Sequence, residues 1–390
     1  MHSTIRRIEL FSYDLTYVGG EYIMSGERVV TSLPSTVVRV VTDDGLVGYG
    51  ETCPLGSNYL PAHAAGARAA LAEVAPYVLG LNAANPVQVY RAAGAALQGH
   101  AYAKAALDIA CWDIMGQAAG APVVDLLGGR QQETLQLYVA IPLGSPEFMA
   151  ERVRHYRTIG VKHFQLKLGG DPIQDAERAA AVVAATEDGE IISGDANCGW
   201  TMNEAIVAAK RMGDLPRFYF EQPCRTFEEC LRVREFCSLP MILDEIIVDV
   251  QSLLRAWEAR ALEGFNLKIT KVGGLTPGRL MRDLAQELGL IVNVEDPWGG
   301  DLTTAATSHL AASTDEGTLQ WVPFMNDWTN EHIAGYQPRS VDGIGRAPSG
   351  PGLGVQVDLE MLGEPFAVFD YATDGRLPSG DDAAAAAVLP

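Results

Sequence analysis

Apolar and polar residues alternate with a period of two over residues 5–15 and 35–42, the pattern of half-buried strands. Asp43, Asp44 and Gly45 lie between Val41 and Leu46 and carry the chemistry of a tight hairpin turn. Residues 62–79 and 101–118 are rich in alanine and repeat with a helical period. Strands followed by helices predict an α+β unit for roughly the first hundred residues.

From about residue 135 the rhythm changes. Short apolar runs at 135–141, 163–168, 190–195, 217–221, 241–244, 264–269, 290–294 and 319–324 are separated by amphipathic stretches such as 175–185, 203–212, 227–237, 250–261 and 278–288. Eight strand candidates spaced by helices predict a parallel barrel. A doubly wound open sheet would carry a glycine-rich phosphate loop after an early strand, and neither G-x-G-x-x-G nor a P-loop motif occurs. The expected organisation is a capping domain at 1–130, completed by about 331–372, and a barrel at 131–330. The Gly-, Asp- and Ala-rich stretch 373–390 is expected to be a flexible tail.

A length of 390 residues suits a large barrel with a second, smaller domain. The formal charge of −20 argues against nucleic acid or an anionic membrane as partner. It does not argue against an anionic small substrate, because a bound metal reverses the local field. None of the six cysteines, at positions 53, 111, 198, 224, 230 and 237, forms a C-x-x-C pair, which predicts reduced core thiols. The N-terminal residues lead into a strand pattern rather than an apolar signal core, and no apolar run is long enough to cross a membrane. A soluble cytoplasmic protein is the expectation.

The chemistry gathers at the ends of successive strands. Lys167, Asp195, Glu221, Asp244 and Lys268 follow one another at intervals of about 28, 26, 23 and 24 residues, each close to one β/α unit. One unit per step carries all five side chains to the same mouth of a barrel. Three carboxylates there repel one another unless a cation sits between them. All-oxygen ligation favours Mg²⁺, with Mn²⁺ possible, over zinc. A substrate carboxylate bound to that ion would be primed for loss of the neighbouring proton. Lysines on strands two and six would flank the substrate from opposite sides, and a lysine acting as base needs a lowered pKa, which an adjacent dication supplies. A lone acid at a strand end is more often a helix cap; three acids and two lysines in phase with the β/α period are not explained that way.

With these residues in view, the chain resembles the muconate-lactonizing/mandelate racemase branch of the enolase superfamily. The resemblance rests on Lys167, the Gly-Asp-Ala-Asn of Asp195, the Glu-Gln-Pro of Glu221, the Asp-Glu of Asp244, the Leu-Lys-Ile-Thr-Lys-Val-Gly-Gly-Leu of Lys268, Gly48-Tyr49-Gly50-Glu51, and the helix from Ala103 to Ala110. It covers nearly the whole chain. It implies an α/β fold, a modified (β/α)8 TIM-type barrel of (β/α)7β form with an α+β capping domain. It also implies Asp195, Glu221 and Asp244 as ligands of Mg²⁺, and Lys167 and Lys268 as the acid/base pair. Asn197, Glu245, Lys271 and Gln165 would support them from behind. The family usually has Lys-x-Lys on strand two. Here the first position is Gln165, so the like-charge neighbour of Lys167 is missing.

Within that branch the chain resembles the hydroxyproline group, on 17–22, 56–59, 99–102, 221–224 and 298–301. That group contains cis-3-hydroxy-L-proline dehydratases and 2-epimerases of proline betaine and 4-hydroxyproline betaine; the YVGGEY loop, 56–59 and 164–167 look closer to the dehydratases. In cis-3-hydroxy-L-proline the 3-OH and the C2 hydrogen lie on opposite ring faces. One lysine would take the hydrogen and the other would protonate the departing hydroxyl, an anti elimination ending in a cyclic imine acid. Returned to C2 instead, the second proton would give epimerisation. Tyr59, Asp296, Trp298 and Trp321 are candidate contacts to an amino-acid-like substrate, an Asp for a secondary ammonium and a Trp face for a cationic nitrogen. His63 and His100 are expected to be structural. A homo-oligomer is expected. A non-catalytic carboxylate-binding barrel is the alternative of another class, and the presence of all five key residues disfavours it.

Overall fold

The computed structural model describes residues 2–375. The alternating N-terminal segments form two long antiparallel strands, Ile5–Thr16 and Ser32–Thr42, and Val47–Thr52 pairs with the second. The turn at 43–45 joins those last two strands, with Gly45 at φ 87°; only glycine takes that conformation without strain. A late strand, Ala367–Asp370, adds to the other edge of this sheet beside Ile5–Thr16. Three helices, Ala64–Val78, Pro86–Ala96 and Ala101–Ala119, pack with it around Ile8, Leu10, Val38, Val40, Leu71, Val74 and Ile114. The second of them is helical where no element was expected, announced by Asn85 as N-cap and Pro86 in the first turn.

The other sheet has eight strands in sequential order. In that order they are Tyr138–Ile141, His163–Lys167, Ile191–Asp195, Phe218–Glu221, Met241–Leu243, Gly264–Lys268, Ile291–Glu295 and Leu319–Trp321, here barrel strands one to eight. Every neighbouring pair is parallel. A parallel bridge between Leu137 and Val322 brings the first and last strands together, nearly closing the barrel. Two expected strands are shorter than their apolar runs. The 135–141 run splits, because Leu135–Gln136 turns away to pair with Ile344–Gly345 and only Tyr138–Ile141 enters the barrel. The 319–324 run stops at Trp321.

The alternation within each strand sends one set of side chains to the helices and one to the barrel axis. In strand two, Phe164 and Leu166 are buried in the main core while Gln165 and Lys167 share the other face. The segment expected to be a tail begins at Thr373, which with Asp374 closes a one-turn helix, Tyr371–Asp374. Residues 376–390 lie outside the described residues. Among the described residues no helix is long and apolar enough to cross a membrane.

The capping sheet is tied to the barrel through one carboxylate. Glu51 is fully buried. It accepts hydrogen bonds from the Gly300 and Thr303 amides and the Thr303 hydroxyl, at the N-terminus of the helix Asp301–Ala312, and from Ser35 and Tyr13. An anion at a helix N-terminus meets unpaired amides and the positive end of the helix dipole.

Candidate active site

Register places the functional side chains. Lys167 pairs with Asp195, Asp195 with Glu221, and Lys268 with Glu295, so these strand ends lie on one rim. The backbone turns sharply just beyond. Asn197, Cys198 and Gln222 take φ values of 43°, 60° and 31°, left-handed conformations that cluster at functional sites.

Each carboxylate is held differently. Asp195 receives Lys167 Nζ at 2.5 Å and the Asn197 amide at 2.8 Å. Glu221 accepts from Gln165 Nε2 at 2.9 Å, Asn266 Nδ2 at 2.6 Å and Ser193 Oγ at 2.6 Å. Asp244 takes Lys271 Nζ at 2.7 Å on one oxygen, and Lys268 Nζ and the Tyr59 hydroxyl on the other. Lys271 also donates to the Asp244 and Asn266 carbonyls, so its ammonium is fully engaged. Asn197 donates to Glu245, and Ser25 from the capping region reaches both Asn197 and the Asp195 carbonyl. Gln165, standing where the family usually has lysine, bridges Lys167 and Glu221: its carbonyl accepts from the ammonium at 2.8 Å and its amide donates to the carboxylate.

Electrostatics follow from burial and these partners. Burial, and then the charge of Asp195, pushes Glu221 well above the usual carboxylate range. Burial alone would raise Asp244, but the Lys268 and Lys271 ammoniums hold it below the usual range. Burial works to lower both Lys167 and Lys268, but the surrounding acidic groups together outweigh it, led by Asp195 for Lys167 and by Asp244, Glu295 and Glu245 for Lys268, and both lysines stand above the ordinary lysine value. The lowered lysine pKa expected from sequence is one that an adjacent dication would supply.

Among the described residues no three acidic, imidazole or thiol groups stand together as a ready cage for a metal. Asp195 and Asp244 are turned to ammonium groups, and Glu221 to neutral donors. The chemistry of the set nevertheless fits a hard dication: three buried carboxylates on adjacent strands, one of them driven toward protonation by burial and by its neighbour.

A cavity of about 30 Å³ lies against this rim. Lys167, Lys268, Gln165, Tyr59, Asp296 and Trp298 all line it, so six of the thirteen residues singled out in sequence meet there. Trp321 is not among its lining residues; the ring is fully buried, 5.2 Å from Tyr138 and 5.8 Å from His163 between centroids. His63 caps the helix Ala64–Val78 by accepting the Gly66 amide, and His100 meets the Tyr102 hydroxyl.

Sequence reasoning missed Glu295. It ends barrel strand seven, one β/α unit beyond Lys268, so extending the same spacing by one step would have found it. Its Oε2 takes the Tyr138 hydroxyl at 2.5 Å, and its Oε1 is buried with no protein partner. Burial raises its carboxyl to about 7. Asp296 beside it uses Oδ1 for the Thr270 amide and hydroxyl and leaves Oδ2 unpaired; burial raises it to about 8. Tyr22, Met24, Leu55, Tyr138 and Trp328 complete much of the wall.

These elements define a class. Residues 25–128 match the mandelate racemase/muconate lactonizing enzyme N-terminal domain and residues 148–361 the enolase C-terminal domain-like family, and the chain belongs to the enolase superfamily. It is 43% identical over 364 residues to a cis-3-hydroxy-L-proline dehydratase of Roseibium aggregatum, covering 93% of this chain and 99% of that protein. It is 27% identical over 341 residues to an N-succinyl-L-Arg/Lys racemase of Bacillus cereus, covering 86% and 90%. A mandelate racemase/muconate lactonizing enzyme structure from Roseovarius nubinhibens, complexed with magnesium, superposes with a TM-score of 0.90 at 37% identity, covering 94% of this chain and all of that one.

Proposed function

We propose that this protein is a dehydratase of cis-3-hydroxy-L-proline, working from a divalent-metal site at Asp195, Glu221 and Asp244. The observation that carries the reading is that Lys167 and Lys268, on barrel strands two and six, line one small cavity beside three buried carboxylates. The 43% identity to a dehydratase over nearly the full length supports the choice of reaction. Mg²⁺ is the proposed ion and Mn²⁺ its substitute. When bound, it supplies Lewis-acid stabilisation of the charge that develops on the substrate carboxylate.

The chain's own residues do the rest. The two ammonium-bearing side chains reach the cavity from strands four places apart in the sheet, so a ring between them presents one face to each. One lysine, as the free amine, takes the hydrogen from C2. The C2–H electron pair becomes the C2=C3 bond as the C3–O bond breaks. The other lysine, as ammonium, gives its proton to the departing oxygen, and water leaves. The enamine left behind tautomerises to a cyclic imine acid. Gln165 and Tyr59 hold the lysines in place through hydrogen bonds. Glu295 and Asp296 both line this cavity and each keeps one oxygen unpaired, which suits the substrate's ring ammonium. The aromatic wall, Tyr22, Tyr138, Trp298 and Trp328, excludes water and suits a cationic nitrogen.

The same pair of bases also performs 2-epimerisation if the second proton goes to C2, and the racemase among the relatives favours keeping this second reading. A panel of cis-3-hydroxy-L-proline, proline betaine and 4-hydroxyproline betaine, followed by NMR, separates the two. Water loss from the first compound alone is the expected result. Inversion of a betaine without water loss from the first would replace the reading with the epimerase.

A further inference from the structure

The inward positions of a (β/α) barrel are usually filled by branched apolar side chains. Here the layer just below the rim is polar. Gln165, Asn266 and Asn293 each stand two residues before Lys167, Lys268 and Glu295 on strands two, six and seven, and strand alternation puts each pair on one face. Asn266 and Asn293 are fully buried, while Phe265, Leu267, Val292 and Val294 beside them belong to the outer core.

These amides are wired in one direction. Asn293 Nδ2 donates to Asn266 Oδ1 at 2.8 Å, and Asn266 Nδ2 donates to Glu221 Oε1 at 2.6 Å. Asn266 and Asn293 are register partners on adjacent strands, but Glu221 is on strand four, so the second bond spans strand five. Glu221 Oε1 also takes Gln165 Nε2, and Oε2 takes Ser193 Oγ. A carboxylate offers about four acceptor sites. Three are in use, two of them on Oε1, so the open one is on Oε2. An ionised carboxylate only accepts, so Asn266 must meet it with Nδ2 and turn Oδ1 away. Asn293 supplies the donor for that oxygen, which otherwise is a buried carbonyl without a partner.

Asn293 carries a cost of its own. Its Oδ1 is buried and has no partner among the described residues. An apolar residue of the same branched shape would avoid that cost. Packing alone therefore does not account for an amide at this position.

We propose that Asn293 is a positioning residue for the divalent cation: acting through Asn266, it holds Glu221 with Oε1 covered and one site on Oε2 open. The role rests on the reading of Asp195, Glu221 and Asp244 as metal ligands, and gives it to a residue three strands from the carboxylate it serves. Groups that hold a ligating side chain from behind tune metal affinity by about 10–100-fold.

Calorimetric titration of the full chain with Mg²⁺, without substrate, tests the proposal. Asn293→Leu should weaken Mg²⁺ binding by about tenfold, and Asn266→Leu by at least as much. Added to Asn266→Leu, the Asn293→Leu change should move the Mg²⁺ Kd by less than about twofold, because the bond through which it acts is already gone. Val292→Ala, next to it in the outer core, should lower the melting temperature and leave the Mg²⁺ Kd within about twofold of wild type, which separates lost packing from lost position. An unchanged Kd in Asn293→Leu, additive effects of the two asparagine changes, or an equal loss in Val292→Ala would each overturn the proposal. If Asn293→Leu does not fold, Asn293→Ala takes its place in the same cycle. If the wild-type protein takes up neither Mg²⁺ nor Mn²⁺, the metal reading itself fails, and the positioning role with it.

Discussion

One buried carboxylate, Glu51, and a group of six lie at the same end of the barrel, and they are built on opposite principles. Glu51 is surrounded by neutral donors, amides and hydroxyls, and among the described residues no positive charge pairs with it. The rim group of Asp195, Glu221, Asp244, Glu245, Glu295 and Asp296 crowds like charges together, answers them with three lysines, and leaves oxygens of Glu245, Glu295 and Asp296 unpaired. A joint is closed when its hydrogen-bonding capacity is used up. A reactive site keeps capacity in reserve, for a cation and for a substrate.

The largest effect that can break this contrast is on turnover. Exhaustive chelation should abolish activity, and Mg²⁺ or Mn²⁺ should restore it; an isosteric Glu221→Gln should not be rescued at the same metal concentration. Undiminished turnover after EDTA would mean that the rim carboxylates are no more than a charge network.

Next in size is the joint. Glu51→Ala leaves the Gly300 and Thr303 amides, Ser35 and Tyr13 without their common acceptor. Stability should fall by roughly 3 kcal/mol, from the cost of unsatisfied buried donors. Denaturant unfolding reads this directly. A loss under about 1 kcal/mol would show that water replaces the carboxylate freely.

A smaller effect concerns pH. Asp108, on the helix Ala101–Ala119, faces the barrel and accepts the Thr276 amide, with its Oδ1 unpaired. Burial raises its carboxyl to about 7, against the lowering by the Thr276 bonds. Its pKa in the fold is above the unfolded value of about 3.9. The fold therefore binds this proton more tightly than the unfolded chain does. The stabilisation is complete below about pH 4 and is lost as pH rises through about 7. Asp108→Asn removes that titration. Melting curves should show the variant gaining on the wild type between pH 5 and pH 8; a constant difference across that window would contradict the assignment.

The smallest expected change is at Gln165. Lysine there would restore the usual pair and place an ammonium beside Lys167. The like charge should lower the proton affinity of Lys167 and shift the corresponding limb of the pH–rate profile downward by about one unit. An unmoved profile would show that Glu221 absorbs the added charge.

Much of this was legible in the chain because barrels are periodic. The spacing from Lys167 to Lys268 reports strand ends directly, and strand alternation places Gln165 and Lys167 on one face. What escaped has no period. Glu295 follows the same spacing but was hidden beside the more suggestive Asp296. Ser25 and Glu51 act across the space between the N-terminal region and the barrel, and nothing local to either says which partner it will meet. Trp321 shows the same limit: its place at a strand end is legible, but its packing against Tyr138 and His163 is not.

The central claim is that Lys167 and Lys268 serve opposite faces of C2. The most direct measurement is proton NMR of cis-3-hydroxy-L-proline in deuterated buffer with Lys167→Ala and Lys268→Ala. Losing the base should abolish both C2 exchange and water loss. Losing the other lysine should slow water loss by about 10²–10⁴-fold while C2 still exchanges with deuterium, because the proton can return from the face it left. Loss of exchange and elimination in the same proportion in both variants would contradict the account and leave a single-base mechanism in its place.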